Sequence, residues 1–293
     1  MFINMLRIEQ TKLFNRKLLW IELGLMGVFV TITLVAIYAL RFDPAMPEEL
    51  TSQLNTFLTW PGAFINMLEL AAGNNLGGLL VLVLVGAMVA QEYTWNTMSL
   101  WLAHGAPRVV VIGAKFLTMF LATFLVVLTT LVVGGMVSGV LSVIINGDLN
   151  AAGVDFWQVA LGAFRTAYTL FPYVGLAFFL AIATRSTLAT IGGSLAYAAI
   201  VEGIIGQILS MLSGGGAKLV QYLPSMLAQS VMKLNNAVDV EAMMMEAAPE
   251  GETITMAAAQ LLEPQIAVVM IAVYTLVFVG LSVWAFQRQD LTS

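Results

Sequence analysis

The chain alternates between long apolar runs and short polar connections. Six of the runs hold about 20 or more mostly apolar residues, the length that crosses a bilayer as a helix. Helices are expected because backbone groups inside lipid must be hydrogen-bonded within their own segment. The runs are continuously apolar, whereas strands of a membrane barrel alternate in polarity. The predicted spans cover residues 18–40, 70–90, 109–145, 164–184, 187–212 and 264–286.

The segment before the first run predicts a helix lying in the membrane interface. Residues 1–17 are short and basic, and their pattern is loosely amphipathic. Ile8 and Glu9 interrupt the apolar face, which consists of Phe2, Met5, Leu6 and Leu13. A disordered tail that sets topology by its charge is the alternative.

The connection before the last run, residues 213–263, is the longest. It opens with three glycines at 214–216, and apolar residues then recur at helical spacing between Leu219 and Leu234. Pro224 is expected in the first turns of that helix or at a bend in it. The connection is predicted as a re-entrant hairpin or a plain external loop. With no internal repeat and no soluble domain, residues 1–293 form a single transmembrane domain.

Composition supports a membrane protein of all-α, polytopic class. Hydrophobic residues make up 60% of the chain and charged residues only 10%, whereas soluble domains carry about 25% charged residues. A charge fraction this low does not cover a soluble particle. The chain has no cysteine, which excludes disulfides and thiolate chemistry. Its lysines and arginines form no long basic run, so no nucleic-acid partner is expected.

The distribution of lysine and arginine predicts the orientation, because cytoplasmic connections carry more of them. With six spans, both termini lie on one side. That side carries eight of the 12 basic residues, and the other carries four. Both termini and the 91–108 connection are therefore assigned to the cytoplasm. The eight are Arg7, Lys12, Arg16, Lys17, Arg108, Lys115, Arg185 and Arg288.

Catalytic and nucleotide-binding motifs are absent from the sequence. No G-x-x-x-x-G-K-[ST] phosphate loop, H-E-x-x-H zinc motif or G-x-S-x-G elbow is present, and His104 is the single histidine. We therefore expect no enzyme activity, cofactor or metal on this chain.

The connection after the second run is the most distinctive polar segment. Glu92 ends the run, and Tyr93, Trp95 and Trp101 suit the headgroup region. Residues 97–103 are predicted as a short helix parallel to the membrane, which ends at Gly105. The alternative is a tight interfacial turn without a partner.

This segment resembles that of bacterial ABC-2 type transporter permeases. The matching positions read E-Y-x-x-x-T-x-x-L in this chain, then G-x-x-R and a lysine, although Asn96 stands where that family usually has glycine. Residues Glu9, Lys12 and 15–17 are similar to the usual family opening. The positions that carry the resemblance are Glu92, Tyr93, Thr97, Leu100, Gly105, Arg108 and Lys115.

The resemblance implies an ABC-2 (type V exporter-like) permease fold in the bacterial cytoplasmic membrane. It further implies a homodimer or heterodimer of permeases paired with two ABC ATPase subunits, which would hold ATP-Mg. Residues 92–108 would then form the coupling helix, with Trp101 in it and with Glu92 and Arg108 as charged contacts. The expected activity is export of an amphipathic or hydrophobic substrate, such as a peptide, an antibiotic or a lipid-like molecule.

Polar residues inside the runs are candidates for a transport pathway. Glu202 lies near the middle of the fifth run, and Asn74 and Asn75 lie near the start of the second. Pro172 is predicted to kink the fourth run. A proton-coupled secondary transporter that uses Glu202 is the alternative function, and a membrane-embedded enzyme or a sensory subunit stays open.

Overall fold

A computed structural model describes most of the chain and places the predicted spans in a helical bundle. It describes residues 1–43, 47–73, 75–95, 97–98, 101, 105–211, 215–235 and 261–289. Every regular element among these residues is a helix, and six helices are long and apolar enough to cross a membrane. The predicted all-helical architecture with six spans is therefore confirmed. The spans are Lys17–Leu40, Leu76–Thr94, Arg108–Asn146, Phe156–Thr184, Thr187–Leu209 and Pro264–Gln287.

Shorter helices fill the connections between these six spans. An N-terminal helix precedes the first span, two helices precede the second, and two follow the fifth. Their bounds are Phe2–Asn15, Glu48–Leu58, Gly62–Ala71, Gly215–Val220 and Pro224–Met232. Pro224 begins a new helix after a turn, so the pattern between Leu219 and Leu234 is divided into two short helices. Residues 236–260 of the connection lie outside the described residues.

The third span is the central element of the bundle. The N-terminal helix, the first span and the Gly62–Ala71 helix all pack along it. The first span buries residues at three- to four-residue spacing, from Leu19 to Leu34, and exposes the opposite face. The third span has 39 residues and is therefore about 58 Å long, well beyond the roughly 30 Å hydrocarbon core.

The second span begins at Leu76, six residues later than predicted. Leu70 belongs to the preceding helix, which ends at Ala71. Gly73 explains the break: its N–H donates to Thr169 Oγ1 at 3.1 Å, and a Cβ at this position would lie 2.5 Å from the Thr169 carbonyl oxygen. The close approach of the fourth span thus keeps the two helices separate.

Pro172 was predicted to kink the fourth span. The span is interrupted there, and the break lies just before the proline. One helix ends at Thr169, and the next begins at Phe171 with Pro172 in its first turn. Proline has no N–H and cannot continue the hydrogen-bonding ladder.

The fifth span contains an unpredicted feature, a π-helical section at Tyr197–Ile205. The sixth span agrees with the prediction to within one residue.

We call the two ends of the bundle the near end and the far end. The near end contains the N-terminal helix, the end of the second span and the start of the third. The far end contains the Glu48–Leu58 helix and the start of the fourth span. Trp60 anchors the chain at the far end by donating from Nε1 to the Gly135 carbonyl and Ser138 Oγ, each at 3.0 Å.

Candidate functional site

A buried lysine lies at the near end of the bundle. Lys115 is only 2% exposed and lies two turns into the third span, about 10 Å from its start. Its Nζ donates to Glu9 Oε2 at 2.9 Å and also to Glu92 Oε2. A buried charge is tolerated when it is paired and hydrogen-bonded. Lys115 therefore joins the N-terminal helix, the second span and the third span at one point.

Glu9 reaches Lys115 because of its position on the N-terminal helix. The buried face of that helix consists of Met5, Glu9 and Leu13, spaced four residues apart. Lys12 also donates to Glu9, from Nζ to Oε1 at 2.8 Å. Burial of the carboxyl favours its neutral form, but Lys115 and Lys12 hold the pKa of Glu9 below its ordinary value of 4.5. Glu9 is thus an ionised partner in the cluster at neutral pH.

Glu92 is the second buried carboxylate that contacts Lys115, and it lies in the last turn of the second span. Arg16 Nη2 lies 3.3 Å from its Oε1, and Lys12 Nζ lies 3.6 Å from the same atom. Arg16 also donates to the Met88 carbonyl at 2.8 Å. Cations at a helix C-terminus are favourable because they offset the partial negative charge there. We call Glu9, Lys12, Arg16, Glu92 and Lys115 the charge cluster.

The connection after the second span rests on this cluster. Arg16 lies over the Trp95 ring at 5.4 Å, and Lys12 lies over the Trp101 ring at 5.0 Å. Thr97 donates to the Glu92 carbonyl at 3.2 Å. Gly105 is exposed and has a φ of 76°, which ends the connection in a left-handed turn. Leu100 and residues 102–104 lie outside the described residues.

Arg108 connects the start of the third span with the end of the sixth. It donates to the Phe286 carbonyl at 2.9 Å and to the Gln287 carbonyl at 2.7 Å. Its guanidinium also lies 5.8 Å from the centre of the Phe286 ring. Glu92 and Arg108 were expected to contact an ATPase, which stays a prediction, and the structure shows that both also have partners within the chain. The reason is electrostatic: Glu92 pairs with three cations, and Arg108 binds carbonyls at a helix C-terminus.

A surface groove opens beside the charge cluster. It has a volume of about 560 Å³ and lies between the N-terminal helix and the connection after the second span. Three cations, Arg7, Lys12 and Arg16, and one carboxylate, Glu92, line it together with Trp95, which is 59% exposed. The groove is therefore basic and has an aromatic rim, which suits an acidic surface.

Glu202 lies away from the cluster, at a cavity in the far half of the bundle. The cavity has a volume of about 820 Å³ and lies between the second, fourth and fifth spans and the Pro224–Met232 helix. Tyr173 donates to Glu202 Oε2 at 2.7 Å. The other oxygen, Oε1, is buried without a hydrogen-bond partner among the described residues. The structure thus places Glu202 at an open space rather than in a tight packing site.

The other pathway candidates divide between this cavity and its surroundings. Asn75 lines the cavity, and its side chain donates to the Glu69 carbonyl at 2.8 Å. Pro172 is buried beside Tyr173 but does not line the cavity. Asn74 lies outside the described residues. No group of three or more His, Cys, Asp or Glu side chains in the described part of the chain could hold a metal ion.

Sequence reasoning missed the role of Glu9. It treated Glu9 as an interruption of the apolar face, whereas the structure buries Glu9 on that face. The available signal was the four-residue spacing from Met5 to Glu9 to Leu13, which puts a carboxylate in the middle of an apolar stripe. The partner, Lys115, is 106 residues away in the chain, and local pattern cannot identify it.

Comparison with known proteins gives one family. The family model described as "Protein of unknown function (DUF2705)" matches residues 59–292, a range that contains Glu92, Arg108, Lys115 and Glu202. Glu9 and the N-terminal helix precede the matched range. No curated protein matches the chain. Because the match covers most of the chain, this protein belongs to the DUF2705 family of proteins of unknown function.

Proposed function

We propose that this chain is the membrane-spanning permease subunit of an ABC-2 type transporter in the bacterial cytoplasmic membrane. It would work as a homodimer or heterodimer with two ATPase subunits, which would supply ATP-Mg hydrolysis. The near end and both termini would face the cytoplasm. The transported molecule would be amphipathic or hydrophobic, and export is the expected direction.

One observation carries the proposal: the connection after the second span is bonded to helices on both sides. Glu92, at its start, is tied to the N-terminal helix and to Lys115 of the third span. Arg108, at its end, is tied to the last turn of the sixth span. A force on residues 92–108 would therefore reach four helices together. Such a connection is suited to transmit closure of an ATPase into tilting of the spans.

The surface beside this connection supports the same function. The groove at Trp95 carries three cations against one carboxylate, Glu92, whereas most of the remaining exposed surface of the spans is apolar. A soluble partner with an acidic rim would find there both charge complementarity and an aromatic anchor.

The test is co-expression with candidate ABC ATPases, followed by affinity purification through a tag on the permease. The wild-type chain should retain the ATPase. Trp95→Ala should reduce retention several-fold, because the exposed ring at the groove is lost. Trp157→Ala is the matched control, since Trp157 is also exposed, at 70%, but lies at the far end.

Two results would count against the proposal. One is a wild-type chain that retains no ATPase although both proteins are expressed and folded. The other is equal loss of retention in Trp95→Ala and Trp157→Ala, which would indicate a general defect rather than a docking surface.

A second candidate function is proton-coupled secondary transport through Glu202. It is favoured by the position of the Glu202 carboxyl at a cavity, with one oxygen lacking a hydrogen-bond partner in the described structure. Such a transporter would need no ATPase, so the same co-purification separates the two.

A further inference from the structure

The Glu202 cavity combines an apolar wall with a few polar groups. Leu70, Leu76 and Leu79 lie on one side, and Phe29 of the first span closes part of it. Ser225, Gln229 and Asn75 supply neutral polar groups. The volume of about 820 Å³ is within the range of about 300–1,000 Å³ for small-molecule sites. The space therefore fits a compact molecule with an apolar body.

The charge that lines this cavity in the described structure is negative only. Glu202 is the only charged residue among those that line it in the described structure. Tyr173 occupies one carboxyl oxygen, and the other has no hydrogen-bond partner there. A carboxylate removed from water is costly unless a cation or hydrogen-bond donors pair with it. The described protein supplies Glu202 with hydroxyl groups but no cation.

The backbone around Glu202 points to a specialised site. Glu202 lies inside the π-helical section Tyr197–Ile205. π-Helical turns are rare and are found frequently at functional sites. Nothing about membrane insertion requires one, because an ordinary α-helix satisfies the same backbone groups. Tyr197, at the start of this section, is a neighbour of the Glu202 carboxyl.

We propose that this cavity binds a cationic amphiphile, with a protonated amine paired to Glu202 and an apolar body against the leucine wall. The amine would donate to Oε1, the oxygen without a partner, while Tyr173 keeps Oε2 in place. That this amphiphile is the transported molecule rests on the proposed function. Its binding to the cavity needs no ATPase.

The experiment compares two probes that differ in charge, octylamine as the cation and octanol as its neutral counterpart. Equilibrium dialysis of each radiolabelled probe is performed at neutral pH against nanodiscs that contain the full chain. Binding to empty nanodiscs is subtracted. The wild-type chain should bind octylamine at least about tenfold more tightly than octanol, because hydrogen bonds to charged groups are typically worth more than one decade in affinity.

Three variants make the result specific. Glu202→Gln should abolish the preference for octylamine. Glu69→Gln removes the same charge from an exposed position outside the cavity lining and should keep the preference. If Glu202→Gln does not fold, Glu202→Asp serves instead and should weaken octylamine binding, because the carboxylate withdraws by one methylene.

Equal binding of the two probes to the wild-type chain would overturn the proposal, as would a preference that survives in Glu202→Gln. Uptake of a proton at Glu202 without amine binding would assign the residue to the proton-coupled alternative. Failure of ATPase co-purification would leave the dialysis result unchanged, so the two proposals fail separately.

Discussion

At the scale of single residues, Lys115 is the unusual feature of this protein. A lysine in a span is costly unless its charge is paired, and Lys115 is paired with two carboxylates from two different helices. The free energy of this arrangement depends on all partners being present. Loss of one partner leaves a buried charge, which is typically worse than loss of the whole set.

Lys115→Met should lower the free energy of unfolding by about 3–5 kcal/mol, because it leaves Glu9 and Glu92 buried with fewer cations. Glu9→Gln should also destabilise. The double variant should lower the free energy of unfolding by less than the sum of the two single variants. The reason is that each single variant leaves one member of the Lys115–Glu9 pair buried without the other, whereas the double variant removes both. Denaturant unfolding of the detergent-solubilised chain measures the four free energies.

Lys218→Met is the control for this cycle, because Lys218 is exposed and belongs to the short helix Gly215–Val220. It should change the free energy of unfolding by no more than about 0.5 kcal/mol. Additivity of Lys115→Met and Glu9→Gln to within about 0.5 kcal/mol would contradict the pairing.

At the scale of elements, Arg108 holds two helix ends together. The first turn of the third span lies beside the last turn of the sixth, and Arg108 binds two carbonyl groups there. A cation at the C-terminus of a helix also interacts favourably with its dipole. Arg108 therefore helps to hold the end of the sixth span, together with Gln289, which donates to the Ile182 carbonyl at 2.7 Å.

Arg108→Ala should lower the free energy of unfolding by roughly 1–2 kcal/mol. It should also increase amide hydrogen exchange in residues 282–289, because the last turn loses its cap. Hydrogen exchange with mass spectrometry measures this directly. Arg288→Ala is the control: Arg288 lies in the same turn but stacks on Trp284 at 4.3 Å. Equal exchange in both variants would show that Arg108 has no special role.

The long elements could be predicted from the sequence, but several short ones could not. An apolar run of about 20 residues fixes a span by itself, so six spans followed from hydropathy. The Gly62–Ala71 helix has only ten residues, too few to be recognised as a span, and its last two residues were assigned to the predicted span at 70–90. The break at Gly73 depends on Thr169, and the π-helical section depends on tertiary surroundings, so neither is a local property.

The same distinction applies to the candidate site. The sequence indicated the segment from Glu92 to Arg108 and singled out Glu202, because charged residues at or inside spans are rare. It could not indicate that Glu92 pairs with Lys12, Arg16 and Lys115. Ion pairs between distant segments depend on how the helices pack, and that packing is not encoded in any local period.

At the scale of the whole molecule, burial is unequal among the spans. The second, third and fourth spans form the core, whereas the first, fifth and sixth expose broad apolar faces. Exposed residues such as Leu188, Ile204 and Leu276 belong to these outer spans. Lipid or a second copy of the chain would cover such faces, because water does not solvate them favourably.

Absence of cysteine makes the orientation easy to test. Thr94→Cys at the near end and Leu149→Cys at the far end each introduce one exposed thiol. With the near end in the cytoplasm, a membrane-impermeant maleimide should label Leu149→Cys in intact cells. Thr94→Cys should react only after the cells are permeabilised. The reverse pattern would place the charge cluster and its groove outside the cytoplasm and would remove the basis for an ATPase partner.

The charge cluster also has a consequence for how the chain is made. The ribosome delivers Glu9 first, Glu92 later, and Lys115 another 23 residues after Glu92. At about 5–20 residues per second, that last interval is about 1–5 s. During it, the two carboxylates have only Lys12 and Arg16 as cluster cations. Insertion of the third span by the translocon is therefore the step at which the N-terminal helix acquires its buried partner, and a chain stalled before residue 115 lacks the ion pair between Glu9 and the third span.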